Sequence, residues 1–232
     1  MQILINHLTR MQPGLICTAG IELETGRHIR PVAGQPLSRA LLASEGGMLE
    51  LGRVIDLGPT EFCGRVPEIE DRRFSPEQAR VVDEACPNRL WELSAEVATD
   101  KLRSIFGSDL EWHNHSPHYP GTAVIAEHSG IRSLGCYWAE QAELKIVERN
   151  EGRKVRLTFV EGDLQFSVAV TDIRCYQADH ITPDEPAIAD LAQRIAGQAR
   201  TLVSIGLSRA SRYSEDQPMR HWLQVNNIHT KP

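Results

Sequence analysis

The chain is short of most features that would announce a chemistry. It has no run of about 18 apolar residues, which excludes a membrane-spanning helix. The opening Met1-Gln2-Ile3-Leu4-Ile5-Asn6 lacks the basic flank and long apolar region of an export signal, so a cytoplasmic location is expected. Cysteines number only five, none in a Cys-x-x-Cys pair, so reduced and mostly buried thiols are expected rather than a disulfide framework. Phosphate-binding glycine motifs, a Gly-x-Ser-x-Gly elbow and His-Glu-x-x-His are all missing. Aromatic residues are 6% of the chain, leaving few platforms for base stacking. An excess of positive charge is missing too: the net charge is −6, which excludes an indiscriminate nucleic-acid coat protein.

What is present is a short cassette near each end, an apolar strand running into Leu-Thr/Ser-Arg. It reads Ile3-Leu4-Ile5-Asn6-His7-Leu8-Thr9-Arg10 and again Leu202-Val203-Ser204-Ile205-Gly206-Leu207-Ser208-Arg209. Each copy leads through a loop to another apolar strand, which suggests two related β modules. Charge follows the same division. Residues 76–111 hold eight acids against four bases, whereas residues 194–232 hold six bases against two acids. Two locally basic ends could meet as an anion site on an acidic protein.

Strand patterns cover 2–8, 15–22, 28–32 and 53–57, then 137–149, 155–159, 164–170, 202–207 and 221–228. Glu161-Gly162-Asp163 sits between two alternating runs and predicts a hairpin. Ser75-Pro76-Glu77-Gln78 and Thr182-Pro183-Asp184-Glu185 read as capping boxes. The first predicts a helix ending before Pro87, with a second helix from Leu90 to Gly107. The turn-rich segment 108–133 suggests a module boundary. The expectation is mainly β with α insertions (α+β): an OB-like β module at 1–125 with a helical insert at 76–106, and another at 126–232 with a helix at 183–200. Such small barrels fit better than a doubly wound sheet, because no β–α–β alternation is sustained.

Candidate chemistry is sparse. His113, His115 and His118 could ligate a metal, but no acid or cysteine stands at a diagnostic spacing, so no metal or cofactor is expected. A Cys–His or Asp–His pair assembled in space, such as Cys175 or Asp172 with His180, would serve a hydrolase. The arginines carry more. Gly26-Arg27-His28-Ile29-Arg30-Pro31 clusters cations at a strand end, where a guanidinium fork suits phosphate or a base edge. Trp222 in the last strand offers a stacking face, against the commoner role of a core aromatic.

Leu8-Thr9-Arg10-Met11, Ile16-Cys17-Thr18-Ala19-Gly20-Ile21, Gly26-Arg27-His28-Ile29-Arg30-Pro31-Val32, Gly206-Leu207-Ser208-Arg209 and His221-Trp222-Leu223-Gln224-Val225-Asn226 together resemble the dual OB-containing domain family. The resemblance implies two OB-type barrels and nucleic-acid binding. The departure is Ala210-Ser211 after the second Leu-Ser-Arg, where a Pro or aromatic is expected.

The reading favoured by the sequence is a binding module for single-stranded nucleic acid or a nucleotide-like ligand, with Arg10, Arg27, His28, Arg30, Arg209, Trp222, Gln224 and Asn226 as contact residues. It leans away from catalysis. The alternatives are a metal- or Cys/His-dependent hydrolase acting on a nucleotide or small anion, and a protein-interaction adaptor presenting the acidic segment 76–106.

Overall fold

The computed structural model describes residues 1–114, 120–149, 152–212 and 215–232. The N-terminal half is a curled sheet of short strands: β1 (Gln2–Arg10), β2 (Leu15–Glu22), β3 (His28–Val32), β4 (Leu37–Ser38), β5 (Val54–Asp56), β6 (Glu61–Phe62), β7 (Asp71–Arg73) and β8 (Arg80–Asp83). Their order is β6-β7-β3-β2-β1-β5-β8, with β4 beside β2. All pairings are antiparallel except β3 with β7, which run parallel. One face of β1 drives Ile3 and Ile5 into a core with Leu8, Ile16, Ile29, Ile55, Leu57 and Phe74. Burying each such side chain contributes roughly 1.5–3 kcal/mol.

Next come α1 (Pro87–Glu96), β9 (Ala98–Thr99), α2 (Leu102–Phe106), β10 (Glu111–His113) and β11 (Thr122–Ala126). The C-terminal half follows with β12 (Leu134–Arg149), β13 (Gly152–Glu161), β14 (Leu164–Val170), α3 (Glu185–Ile195), β15 (Arg200–Leu207) and β16 (Arg220–His229). β12, β13, β14, β16 and β15 close on one another as a five-stranded barrel. β14 and β16 are its parallel pair, and α3 bridges β14 to β15, which is the plan of an OB barrel. A register shift at Glu140/Glu143 bends β12, so its first half pairs with β15 and its second with β13. Tyr137, Phe159 and Phe166 lie in the barrel core, the last two rings stacked at 5.1 Å.

The duplication is real, but it lies in strand order rather than in the cassettes. β1, β2, β3, β5 and β7 are connected and ordered as are β12, β13, β14, β15 and β16. The first cassette strand is the opening strand of its module, whereas the second, β15, is the fourth strand of its own. The N-terminal sheet stays open because β5 takes β8 as its neighbour, where β15 takes β16.

The expected helix at 76–86 does not form. Ser75 and Pro76 close a single turn, with Gln78 N–H donating to Ser75 O at 3.0 Å, and Arg80-Val81-Val82-Asp83 pairs with β5. β-branched Val81 and Val82 favour extension once a partner strand is beside them. Pro87 then opens α1 instead of ending a helix, since its missing N–H costs nothing in the first turn. Asp184, not Thr182, caps α3, with its Oδ1 accepting from Ala187 N–H at 3.1 Å. The 155–170 hairpin forms as expected, with Gly162 at φ 59° in its two-residue turn. By sheet membership the chain changes over between β8 and β9, ahead of the expected boundary at 125/126. Phe106, Ile105 and Ile125 are the cause, because they bury in the second core.

Candidate functional site

Two arrangements gather the candidate side chains: a polar seam where β1 lies against β16, and an exposed ridge on β6 and β7. At the seam, Asn227 Oδ1 accepts from Leu8 N–H at 2.7 Å while its Nδ2 donates to Leu8 O at 3.1 Å. Asn226 Nδ2 donates to His7 Nδ1 at 3.0 Å. Gly206 makes room for this amide, since a Cβ there would stand 2.7 Å from Asn226 Nδ2. Asn6 Nδ2 lies 3.2 Å from His28 Nε2, 3.3 Å from Cys136 Sγ and 3.3 Å from Ser204 Oγ. Ser204 Oγ donates to Asn6 O at 2.8 Å and also meets His229 Nε2 at 2.8 Å. Burial lowers the basicity of all three seam histidines. It drives His7 well below the ordinary value, and His28 and His229 fall to about 4 and about 3, with Arg132 and Arg174 respectively adding repulsion.

The two cassette arginines each reach into the opposite half. Arg10 Nη1 donates to His180 O at 3.0 Å, and its guanidinium lies 4.0 Å over the Tyr176 ring. Arg209 binds Glu68 at 3.1 Å and Asp71 at 2.8 Å. Arg30, 4% exposed, takes the other oxygen of the same Asp71 at 2.5 Å. Glu70 adds a further tie, accepting from Ser133 N–H, Ser133 Oγ and Leu134 N–H. The expected strand-end cations are therefore in place, but Arg10 and Arg30 direct their charge into the protein. Of the three, Arg209 keeps a solvent face, its side chain 55% exposed.

Arg209 reaches β7, whose other face carries the ridge. There Phe62 is 59% exposed, and cross-strand Arg72 sits 4.6 Å over its ring. Arg73 projects to the other face of β7, where Glu61 binds it at 3.2 Å, and exposed Arg65 forms a backbone β-bridge with Glu68. Next to Arg209, Ser208 Oγ accepts from Trp222 N–H at 3.0 Å, while the Trp222 indole is half-buried 5.5 Å from the His113 ring. Asp71 and Arg72 are neighbours on β7 and project to opposite faces, so the Phe62–Arg72 pair lies on one side of that strand and the Arg30–Asp71–Arg209 cluster on the other. Of the remaining expected contact residues, Arg27 is exposed at the β2–β3 turn and Gln224 is half-buried on β16. Asn226 and His28 belong to the seam. The sequence reading missed Phe62 and Arg72, since two-residue β6 carries no periodic signal.

The alternative chemistries find less support in the geometry. The Cys–His pair that forms is Cys136 with His28 at 3.6 Å, a pair separated by 108 positions. Burial pushes the thiol up to about 12 and the imidazole down to about 4, opposite to a thiolate–imidazolium couple. Asp172 is fully buried, accepting from Arg174 and from Ile228 N–H. His115 and His118 lie outside the described residues. Among the described residues there is no group of three potential metal ligands and no helix long and apolar enough to cross a membrane.

The family model described as the dual OB-containing domain matches residues 1–228, nearly the whole chain. The chain belongs to that family. No curated protein and no solved structure matches it.

Proposed function

We propose that this two-barrel chain binds single-stranded nucleic acid at the exposed Phe62–Arg72 pair on β6 and β7. One observation carries the reading: an aromatic ring held 59% exposed with a guanidinium 4.6 Å above it. Burying Phe62 would remove apolar surface from water, so its exposure leaves a face on which a base can stack. Arg72 supplies a cation at the ring, whereas Arg73 is paired with Glu61 and Arg209 is balanced by Glu68 and Asp71. Few uncompensated cations on a chain of net charge −6 give a modest affinity that collapses with salt.

Fluorescence anisotropy with labelled single-stranded DNA and RNA oligonucleotides, at low and at physiological salt, tests this. Binding that weakens steeply with salt is expected. An unchanged anisotropy with every oligonucleotide at low salt would overturn it.

A further inference from the structure

A cleft of about 660 Å³ opens between the two halves away from Phe62, with Leu8 and His229 of the seam reaching its floor. Leu42, Leu49, Leu51 and Leu90 give it an apolar wall, with the Trp91 indole beside them. Across from these stand Tyr176, His180 and Arg174. Its size suits a small organic ligand, and the junction of two domains is where such sites concentrate.

One residue marks the polar wall as built for a ligand. His180 is 4% exposed, yet its Nδ1 is buried without a hydrogen-bond partner. Its backbone stands at φ 58°, a conformation that few non-glycine residues adopt. Two paired arginines leave donors free at the same wall. Arg174 commits Nε and Nη2 to Asp172 and Ile228 O, which leaves Nη1 and a side chain 46% exposed. Arg194 commits only Nε, to Asp190, and its side chain is 60% exposed. Glu45 and Glu50 contribute carboxylates at the same rim, tied to Arg39 and Arg53.

We infer that this cleft binds a mononucleotide, with the base against Trp91 and the leucine wall and the phosphate on Arg174 and Arg194. Glu45 and Glu50 are neutralised by Arg39 and Arg53, so the rest of the lining chooses the ligand. A nucleotide presents a flat base to the Trp91 indole, a polar ring edge to the unpaired His180 Nδ1 and an anion to the two arginines, whereas a fatty acid leaves the His180 nitrogen unpaired.

Isothermal titration calorimetry with adenosine 5′-monophosphate, uridine 5′-monophosphate and adenosine tests the inference. Two variants at exposed positions keep the fold out of question: Arg194→Glu removes a phosphate contact, and Ser44→Trp fills the mouth. The expected result is saturable binding of a monophosphate that adenosine fails to match. Arg194→Glu should weaken it about tenfold and Ser44→Trp should abolish it. No heat with either nucleotide, equal binding of adenosine, or indifference to both variants would overturn it. The ridge is read separately: Phe62→Ala should lower oligonucleotide affinity and leave the monophosphate titration unchanged. Failure of one site is thereby distinguished from failure of the other.

Discussion

Asn227 replaces a strand: its side-chain amide makes with the Leu8 backbone the two hydrogen bonds that a neighbouring peptide would make. β1 is thereby joined to β16 without an added ladder, and both groups of Leu8 are satisfied although they are buried. Asn227→Ala leaves that N–H and C=O unpaired, which costs about 2–4 kcal/mol at the penalties usual for buried backbone groups. Urea unfolding should show a lower midpoint; a change below 0.5 kcal/mol (about the scatter of surface substitutions) would contradict the account.

The shared carboxylate of Asp71 predicts an asymmetry. Asp71→Asn strands the buried Arg30 guanidinium, at a cost of about 3–5 kcal/mol. Arg209→Ala leaves the Arg30–Asp71 pair standing and removes a half-exposed ion pair, at about 0–1 kcal/mol. Thermal melts of the two variants should differ accordingly, and equal destabilisation would refute the distinction.

Acid should weaken the seam before it weakens the rest. His28 and His229 are held neutral in the fold, at about 4 and about 3, whereas in the unfolded chain they take a proton near the ordinary histidine value of 6.5. Between those limits the unfolded state binds more protons, so stability falls as pH falls below 6.5 and rises as it is restored. The buried Glu70 carboxyl, raised by burial, opposes this trend at the acid end of the window. His229→Gln keeps a polar partner for Ser204 and should flatten the pH dependence of the melting temperature between pH 6 and pH 4 (roughly one proton's worth). A slope identical to the parent chain would show that these rings do not govern it.

Phe62→Ala separates binding from folding. An exposed ring contributes little to stability, within about 0.5 kcal/mol. Loss of a stacking platform costs about 1–3 kcal/mol per base, so oligonucleotide affinity should drop by about tenfold with an unchanged melt. Full affinity in this variant would remove Phe62 from the interface.

Much of the framework is legible in residues 2–22 and 153–170. There, alternation and turn chemistry agree, and strands form where each pattern lies. The segment 75–86 shows why local signals fail elsewhere: its capping chemistry favours a helix, and only the presence of β5 beside it makes extension the lower state. β6 and β7 are too short for any periodicity, so the parallel partner of β3 and the aromatic on β6 carry no linear signature.

Local chemistry thus determined the composition class, the two-module β character and the hairpin, because each depends on neighbours a few positions apart. Tertiary structure decided what the charged residues do. Whether Arg30, Arg10 or Arg209 faces water depends on Asp71, Tyr176 and Glu68, which lie 41, 166 and 141 positions away in the chain. A guanidinium's fate is set by the groups within a few ångströms of it, and the fold alone chooses those groups.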